Sequence, residues 1–175
     1  YYDWENGVLK YASRDGATWS IDSVDSAGDL GVYPSLHLDK LDRPHISYGD
    51  RDRGNLKYAT VTGDSWSVAE VDGTGDMFSY SEHSSLAVDH NGVPHIAYYS
   101  NGDLKYASPS GSGWGWSAVD STGTVGAYPS LAFDSRNRPQ ISYWSFTDWV
   151  VRYAVRDGGH WRRESVSDGS YTSLA

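Results

Sequence analysis

The sequence predicts an all-β fold: a β-propeller segment of four-stranded antiparallel blades, about 47 residues each, in nearly four repeats. Three observations predict it. First, the tetrad Leu9-Lys10-Tyr11-Ala12 returns as Leu56-Lys57-Tyr58-Ala59, Leu104-Lys105-Tyr106-Ala107 and Val151-Arg152-Tyr153-Ala154, at spacings of 47, 48 and 47 residues. Second, other elements keep fixed offsets from it. A Trp stands ten residues after each tetrad start, at Trp19, Trp66, Trp114 and Trp161. Third, the apolar runs are short, rich in Val, Ile, Tyr and Trp, and bounded by Gly, Asp, Asn, Ser or Pro, which is a strand signature. No stretch sustains a 3.6-residue apolar period, so helices are not expected.

Each repeat holds four such runs. Run A is the Ser-Leu block, at Ser35-Leu36, Ser85-Leu86, Ser130-Leu131 and Ser173-Leu174. Run B begins at a proline: Pro44-His45-Ile46, Pro94-His95-Ile96 and Pro139-Gln140-Ile141. At the first strand position its missing N–H does least harm to the ladder. Run C is the tetrad, and run D follows the Trp. Asn91-Gly92 links A to B, and Asp15-Gly16, Gly63-Asp64 and Gly158-Gly159 link C to D, as tight hairpins require. A blade packs on both faces, so its strands should be apolar or small on both sides. Trp19, Trp66, Trp114 and Trp161 are therefore expected to be core wedges between blades.

The expected boundaries are a partial blade over 1–25, blades over 33–72, 83–120 and 128–167, and the start of another at 171–175. Tyr1-Tyr2-Asp3 aligns with Tyr48-Gly49-Asp50, so the first copy opens at the end of run B. The remaining blades of a larger ring are expected from a longer parent chain or from a second copy.

Composition excludes several function classes. The 175 residues carry a net charge of −9, which disfavours a phosphate-backbone partner, so no nucleic acid is expected. There is no cysteine, hence no disulfide, zinc-thiolate site or thiol nucleophile. No apolar run approaches 18 residues, so no membrane insertion is expected, and no signal-peptide pattern opens the chain.

The Pro-His-Ile-Ser-Tyr, Leu-Lys-Tyr-Ala and Asp-Gly-x-x-Trp elements resemble the repeats of bacterial and archaeal secreted or cell-surface β-propellers of the loosely sialidase-like, Asp-box type. The stretch Ser13-Arg14-Asp15-Gly16-Ala17-Thr18-Trp19 carries a box one residue short between Asp and Trp. The alternation of Tyr-ended strand, Gly/Asn turn and Gly-Trp also looks like that of small bacterial and fungal propeller lectins. The resemblance implies an extracellular or cell-surface location.

Sialidase-like hydrolysis would need an arginine cluster for a carboxylate, a Tyr–Glu nucleophile pair and an acid. Arg43, Arg51, Arg53, Arg136, Arg138 and Arg152 fall mostly in turns, and Glu5, Glu70, Glu82 and Glu164 do not recur. No catalytic residue is assigned. The acidic loops at Asp25/Asp29 and Asp72/Asp76 offer oxygens for calcium, but two Asp suit turn geometry as well, so no cofactor and no metal ligand is assigned. His45 and His95 give way to Gln140 in the third copy, which reads as strand-end hydrogen bonding.

Aromatics for a sugar ring are the better candidates. Tyr33, His83, Tyr128 and Tyr171 recur two residues before each run-A Ser, on the loop entering the blade. Trp144 and Trp149 flank one B–C turn only, and Trp4 is a further candidate. Site residues belong on loops. The sequence thus reads as a non-catalytic extracellular recognition or structural module, with a glycan or a protein surface as ligand. The alternatives are a multivalent carbohydrate-binding lectin and a degenerate sialidase-like glycoside hydrolase.

Overall fold

The computed structural model describes residues 1–74, 83–169 and 172–174. Among them are fifteen strands and no helix. A three-stranded sheet joins β1 (Tyr2–Asp3), β2 (Val8–Asp15) and β3 (Thr18–Asp25). The second sheet is β4 (Leu30–Leu38), β5 (Pro44–Asp50), β6 (Asn55–Thr62) and β7 (Ser65–Asp72). The third is β8 (Ser84–Val88), β9 (Pro94–Ser100), β10 (Asp103–Ser110) and β11 (Gly113–Asp120). The fourth is β12 (Val125–Phe133), β13 (Pro139–Ser145), β14 (Val150–Asp157) and β15 (His160–Asp168). Every sheet is antiparallel with its strands in chain order, so runs A to D are the strands of a β-propeller blade.

The core lies between sheets, not within one. Between the second and third sheets, Leu56, Tyr58 and Val71 pack against Leu86, Ile96 and Tyr98. Equivalent clusters fill the other two junctions. Three further contacts repeat from sheet to sheet, and each explains a recurring residue.

The inner strands are joined by the run-A serine. Ser35 Oγ accepts the Leu86 N–H at 3.0 Å, Ser85 Oγ that of Leu131 at 2.9 Å, and Ser130 Oγ that of Leu174 at 2.9 Å. Further out, each Trp packs on the run-C Tyr of the preceding sheet: Trp66 on Tyr11 at 5.4 Å, Trp114 on Tyr58 at 4.9 Å, Trp161 on Tyr106 at 5.2 Å. Trp19 corrects the expectation of a core residue. It is 62% exposed, and among the described residues no sheet on its side offers a Tyr.

The third contact is an ionic clamp. The Asp ending each outer strand reaches the run-B Tyr and run-C cation of the next sheet. Asp25 accepts from Tyr48 at 2.7 Å and Lys57 at 2.5 Å. Asp72 accepts from Tyr98 at 2.9 Å and Lys105 at 3.1 Å. Asp120 accepts from Tyr143 at 2.7 Å and Arg152 at 2.9 Å, and its other oxygen takes Arg163 at 2.7 Å. The same acids cap their own turns, as Asp72 does for the Thr74 N–H at 3.1 Å. The turn reading of these acids was therefore half of their role.

Inner strands β4 and β12 begin at Leu30 and Val125, ahead of the expected 33 and 128. A β-bulge is the reason. Val32 pairs with Gly49 and Ser35 with Ser47, so Tyr33 and Pro34 together oppose Tyr48. Tyr128 and Pro129 oppose Tyr143 in the same way. Tyr33 and Tyr128 sit at φ 50° and 49°, a conformation that re-aims a side chain. They belong to strands, not to the entering loops.

Candidate functional site

The four B–C turns differ in one informative way. Each closes with a residue at positive φ: Gly7 (65°), Gly54 (70°), Gly102 (87°) and Trp149 (60°). The equivalence is structural. Gly54 N–H donates to the Asp50 carbonyl at 2.8 Å, and Trp149 N–H to the Ser145 carbonyl at 3.0 Å. Glycine adopts this conformation freely, whereas an L side chain pays about 1–2 kcal/mol. A bulky aromatic there is an outlier.

Trp149 is 69% exposed. Its ring stands edge-on to Trp144, with centroids 6.1 Å apart, and Phe146 packs on Trp144 from another side at 6.5 Å. Trp144, a ligand-binding candidate flanking this turn, is only 6% exposed. It occupies the strand position of Gly49 and Tyr99 and serves as the base on which Trp149 rests.

The turn is tied to the loop of the preceding sheet. Phe146 N–H donates to the Thr124 carbonyl at 2.9 Å, and Thr124 N–H to Thr147 Oγ1 at 2.7 Å. A Cβ on Gly123 would stand 2.2 Å from Thr147 Oγ1, so glycine permits this approach. Polar groups rim the aromatics. Arg152 pairs with Asp148 of the turn, and donates to Thr122 Oγ1 at 2.7 Å. Thr147, Asp148 and Trp149 are all exposed. The result is one free indole face on a braced turn, beside hydroxyl, carboxylate and guanidinium groups.

The other aromatic candidates form a separate arc along the inner strands. Tyr33 and His83 lie 4.9 Å apart, and His83 and Tyr128 5.1 Å apart, each pair tilted by 45°. Neighbouring blades thus pack these rings on each other. Tyr171 lies outside the described residues, as do Asp76 and Glu82. Trp4 is exposed on the first B–C turn.

The remaining candidates are engaged in holding turns. Arg43 pairs with Asp39 and Arg138 with Asp134 across their A–B hairpins, while Arg53 pairs with Asp50. They do not converge on one point. His45 Nδ1 meets Tyr58 OH at 2.5 Å and His95 Nδ1 meets Tyr106 OH at 2.7 Å, each with an Asp on its far side. Burial lowers the pKa of both imidazoles. Burial pushes the Asp72 carboxyl up, but bonds from Tyr98 and Lys105 outweigh it and hold the group below the ordinary carboxylate value. The same balance, with Thr122, Tyr143 and Arg152 as donors, holds Asp120 at about 2. Among the described residues no three His, Asp or Glu side chains are arranged to hold a metal ion.

Sequence reasoning missed Phe146, Asp148 and Arg152 as partners of the Trp pair. It also missed the conformation of Trp149. Aligning the four B–C turns would have found it, since Trp149 falls where three repeats carry Gly.

No protein-family model matches the chain, and no curated protein matches it. Solved structures do. A fucose lectin from Kordia zhangzhouensis, solved with methyl-fucoside, matches with a TM-score of 0.53 at 17% identity, over 77% of this chain and 99% of that one. The lectin SapL1, solved with α-methyl fucoside, matches with a TM-score of 0.64 at 12% identity, over 96% of this chain and 61% of that one. An α-L-arabinofuranosidase from Clostridium thermocellum matches with a TM-score of 0.50 at 12% identity, over 85% of this chain and 58% of that one. This chain thus spans about three-fifths of SapL1 and of the arabinofuranosidase. At these identities the likeness concerns architecture, and the architecture is that of a β-propeller segment.

Proposed function

We propose that this chain is a carbohydrate-recognition module of lectin type, working outside the cell or at its surface, and that it binds sugar without hydrolysing it. The observation that carries the reading is Trp149: an exposed indole held at φ 60° where three sister turns hold glycine. Backbone strain persists where a role maintains it. An exposed aromatic offers a flat apolar face to the C–H side of a sugar ring, while nearby polar groups take the hydroxyls. Two of the lectins that share the architecture were solved with fucosides, which makes methyl α-fucoside the first probe. The reading favours the lectin alternative over a purely structural module. It also favours binding over hydrolysis. The carboxyl groups displaced in pKa at the junctions and A–B turns, Asp25, Asp39, Asp72, Asp89, Asp120 and Asp134, are displaced downward. A general acid needs the opposite shift.

The test is a glycan array and a calorimetric titration with methyl α-fucoside and a panel of neutral monosaccharides. Wild-type protein is expected to bind. Trp149→Gly should weaken binding roughly thirtyfold or more, the cost of losing a central aromatic anchor of about 2 kcal/mol. The same variant should melt no lower than wild type, because glycine relieves the strained turn. Tyr33→Ala, in the inner arc, should keep binding. No binding by wild type, or undiminished binding by Trp149→Gly, contradicts the proposal.

A further inference from the structure

The A–B hairpins of the second, third and fourth sheets share one turn. Asp42 N–H donates to the Asp39 carbonyl at 3.0 Å, Gly92 N–H to that of Asp89 at 3.0 Å, and Asn137 N–H to that of Asp134 at 2.8 Å. The donating residue has positive φ each time, at 57°, 82° and 60°. The two junctions between these hairpins can therefore be compared position by position.

The junction between the third and fourth sheets is closed. Asn137 reaches back to the third sheet, accepting the His90 N–H at 2.8 Å and donating to Asp89 Oδ2 at 3.0 Å. Phe133 packs on the His95 ring, with centroids 5.0 Å apart. Between the second and third sheets the same two positions hold Gly92 and Val88. Glycine has no side chain to reach across, and valine is smaller than an aromatic ring. A cavity of about 420 Å³ opens there, with His37, Leu38, Lys40, Leu41, Val88 and His90 in its lining. Small-molecule sites run from about 300 to 1,000 Å³. The cavity lies at the A–B end of the blades, and the B–C turn that carries Trp149 stands at the other end.

Two cavity residues have no match elsewhere in the chain. His37 pairs with His45, where Ala87 pairs with His95 and Ala132 with Gln140. Directly opposed residues share a sheet face. On that face His45 meets Tyr58, whose ring packs on Trp114 of the third sheet, so His37 faces the gap. Lys40 is the other. Lys10, Lys57 and Lys105 each pair with an Asp, whereas Lys40 has, among the described residues, only the His90 carbonyl at 2.9 Å. The acids of the lining are already engaged. Arg43 and the Leu41 and Arg43 N–H groups hold Asp39, and the Asn91 and Val93 N–H groups with Asn137 hold Asp89. The cavity thus offers an ammonium without a counter-ion and an imidazole, between apolar walls.

We propose that this cavity is a second ligand site, distinct from the Trp149 indole, and that it takes a small monocarboxylic acid with an apolar body. Lys40 receives the carboxylate as a charge-assisted pair, with His37 as a further donor. Leu38, Leu41 and Val88 cover the body. One free cation suits one negative charge, and Asp39 and Asp89 beside it repel a second.

Calorimetric titration of the whole chain with cyclohexanecarboxylate, at neutral pH and low salt, provides the test. Saturable binding at one site per chain is expected, and added salt should weaken it. Cyclohexylmethanol keeps the ring without the charge, and glucuronate keeps the charge on a polar ring. Each should bind at least tenfold more weakly. Lys40→Met should weaken binding of the acid tenfold or more, and His37→Ala, which copies Ala87 and Ala132, about threefold. Gly92→Asn copies Asn137. Nothing lies within 4 Å of a Cβ at Gly92, so this variant should melt no lower than wild type, yet close the gap and abolish binding. Trp149→Gly should bind the acid as wild type does, so failure of the sugar site and failure of this one are read separately. No binding by wild type, equal binding of the alcohol or of glucuronate, or undiminished binding by Lys40→Met or Gly92→Asn overturns the proposal.

Discussion

Asp72→Ala is expected to lower stability by about 3–5 kcal/mol, the cost of leaving a buried charge without its partner. Lys105 is 5% exposed, and its ammonium reaches Asp72 at 3.1 Å with Ser100 Oγ as its other hydrogen-bond acceptor, also at 3.1 Å. The Trp116 ring lies 4.1 Å from the same nitrogen. Removing the carboxylate strands that charge and also strands the hydroxyl of Tyr98, which is wholly buried. Asp72→Asn keeps an acceptor but not the charge, so it should fall between. Adding Lys105→Met to Asp72→Ala should recover part of the loss, because it removes the uncompensated charge. By contrast, breaking the pair of exposed Arg51 with half-buried Asp29, 3.8 Å apart, through Arg51→Ala should cost no more than about 1 kcal/mol. Urea unfolding followed by circular dichroism measures all four. A loss below about 1 kcal/mol for Asp72→Ala would mean that the clamp does not hold the blades together.

The second large effect is in acid. Asp25 and Asp72 are held below the ordinary carboxylate value of 3.8, and Asp120 at about 2. The unfolded chain binds protons on these groups before the folded one does. Their stabilisation is therefore complete above pH 3.8 and is lost as pH falls through the folded values. His45 and His95 act with the same sign at higher pH. Burial lowers both from 6.5, so the unfolded chain protonates first and stability begins to fall below pH 6.5. The tyrosines limit the other side. Burial and the clamp carboxylates raise Tyr48, Tyr98 and Tyr143 above 10.0, so the unfolded chain ionises first and stability falls above pH 10. The expected melting profile is a plateau between these limits, a shallow shoulder below pH 6.5 and a steep loss below pH 4. His45→Gln with His95→Gln, which copies Gln140 of the fourth sheet, should shrink the shoulder to the part that His37, also lowered from 6.5 by burial, contributes, and leave the steep loss. A profile that stays flat from pH 7 to 3 would contradict the clamps.

The repeat made the architecture legible because each blade hides its faces only against its copies. Identical surroundings impose identical residues, so Trp66, Trp114 and Trp161 announced the junctions by their spacing. The partners on the other side were less legible. Tyr58 and Lys105 recur as visibly as the Trp residues, but nothing in a linear pattern says that Lys105 crosses to Asp72 of another sheet. The bulges at Tyr33-Pro34 and Tyr128-Pro129 were hidden as well. An extra residue in one strand leaves no mark until the opposing strand is counted against it. The binding candidate was half visible. Trp144 and Trp149 stood out as unrepeated aromatics, yet one is buried and one is free. That difference comes from strand pairing at Trp144 and from the left-handed turn at Trp149.

The most direct measurement is a titration of the indole N–H resonances of the eight tryptophans with the neutral monosaccharides of the panel. Each is assigned by single Trp→Phe substitution. The account predicts that Trp149 moves most and saturates, that Trp144 beneath it moves less, and that the junction residues Trp66, Trp114 and Trp161 stay still. Saturable shifts centred on another tryptophan, with Trp149 unmoved, would contradict it.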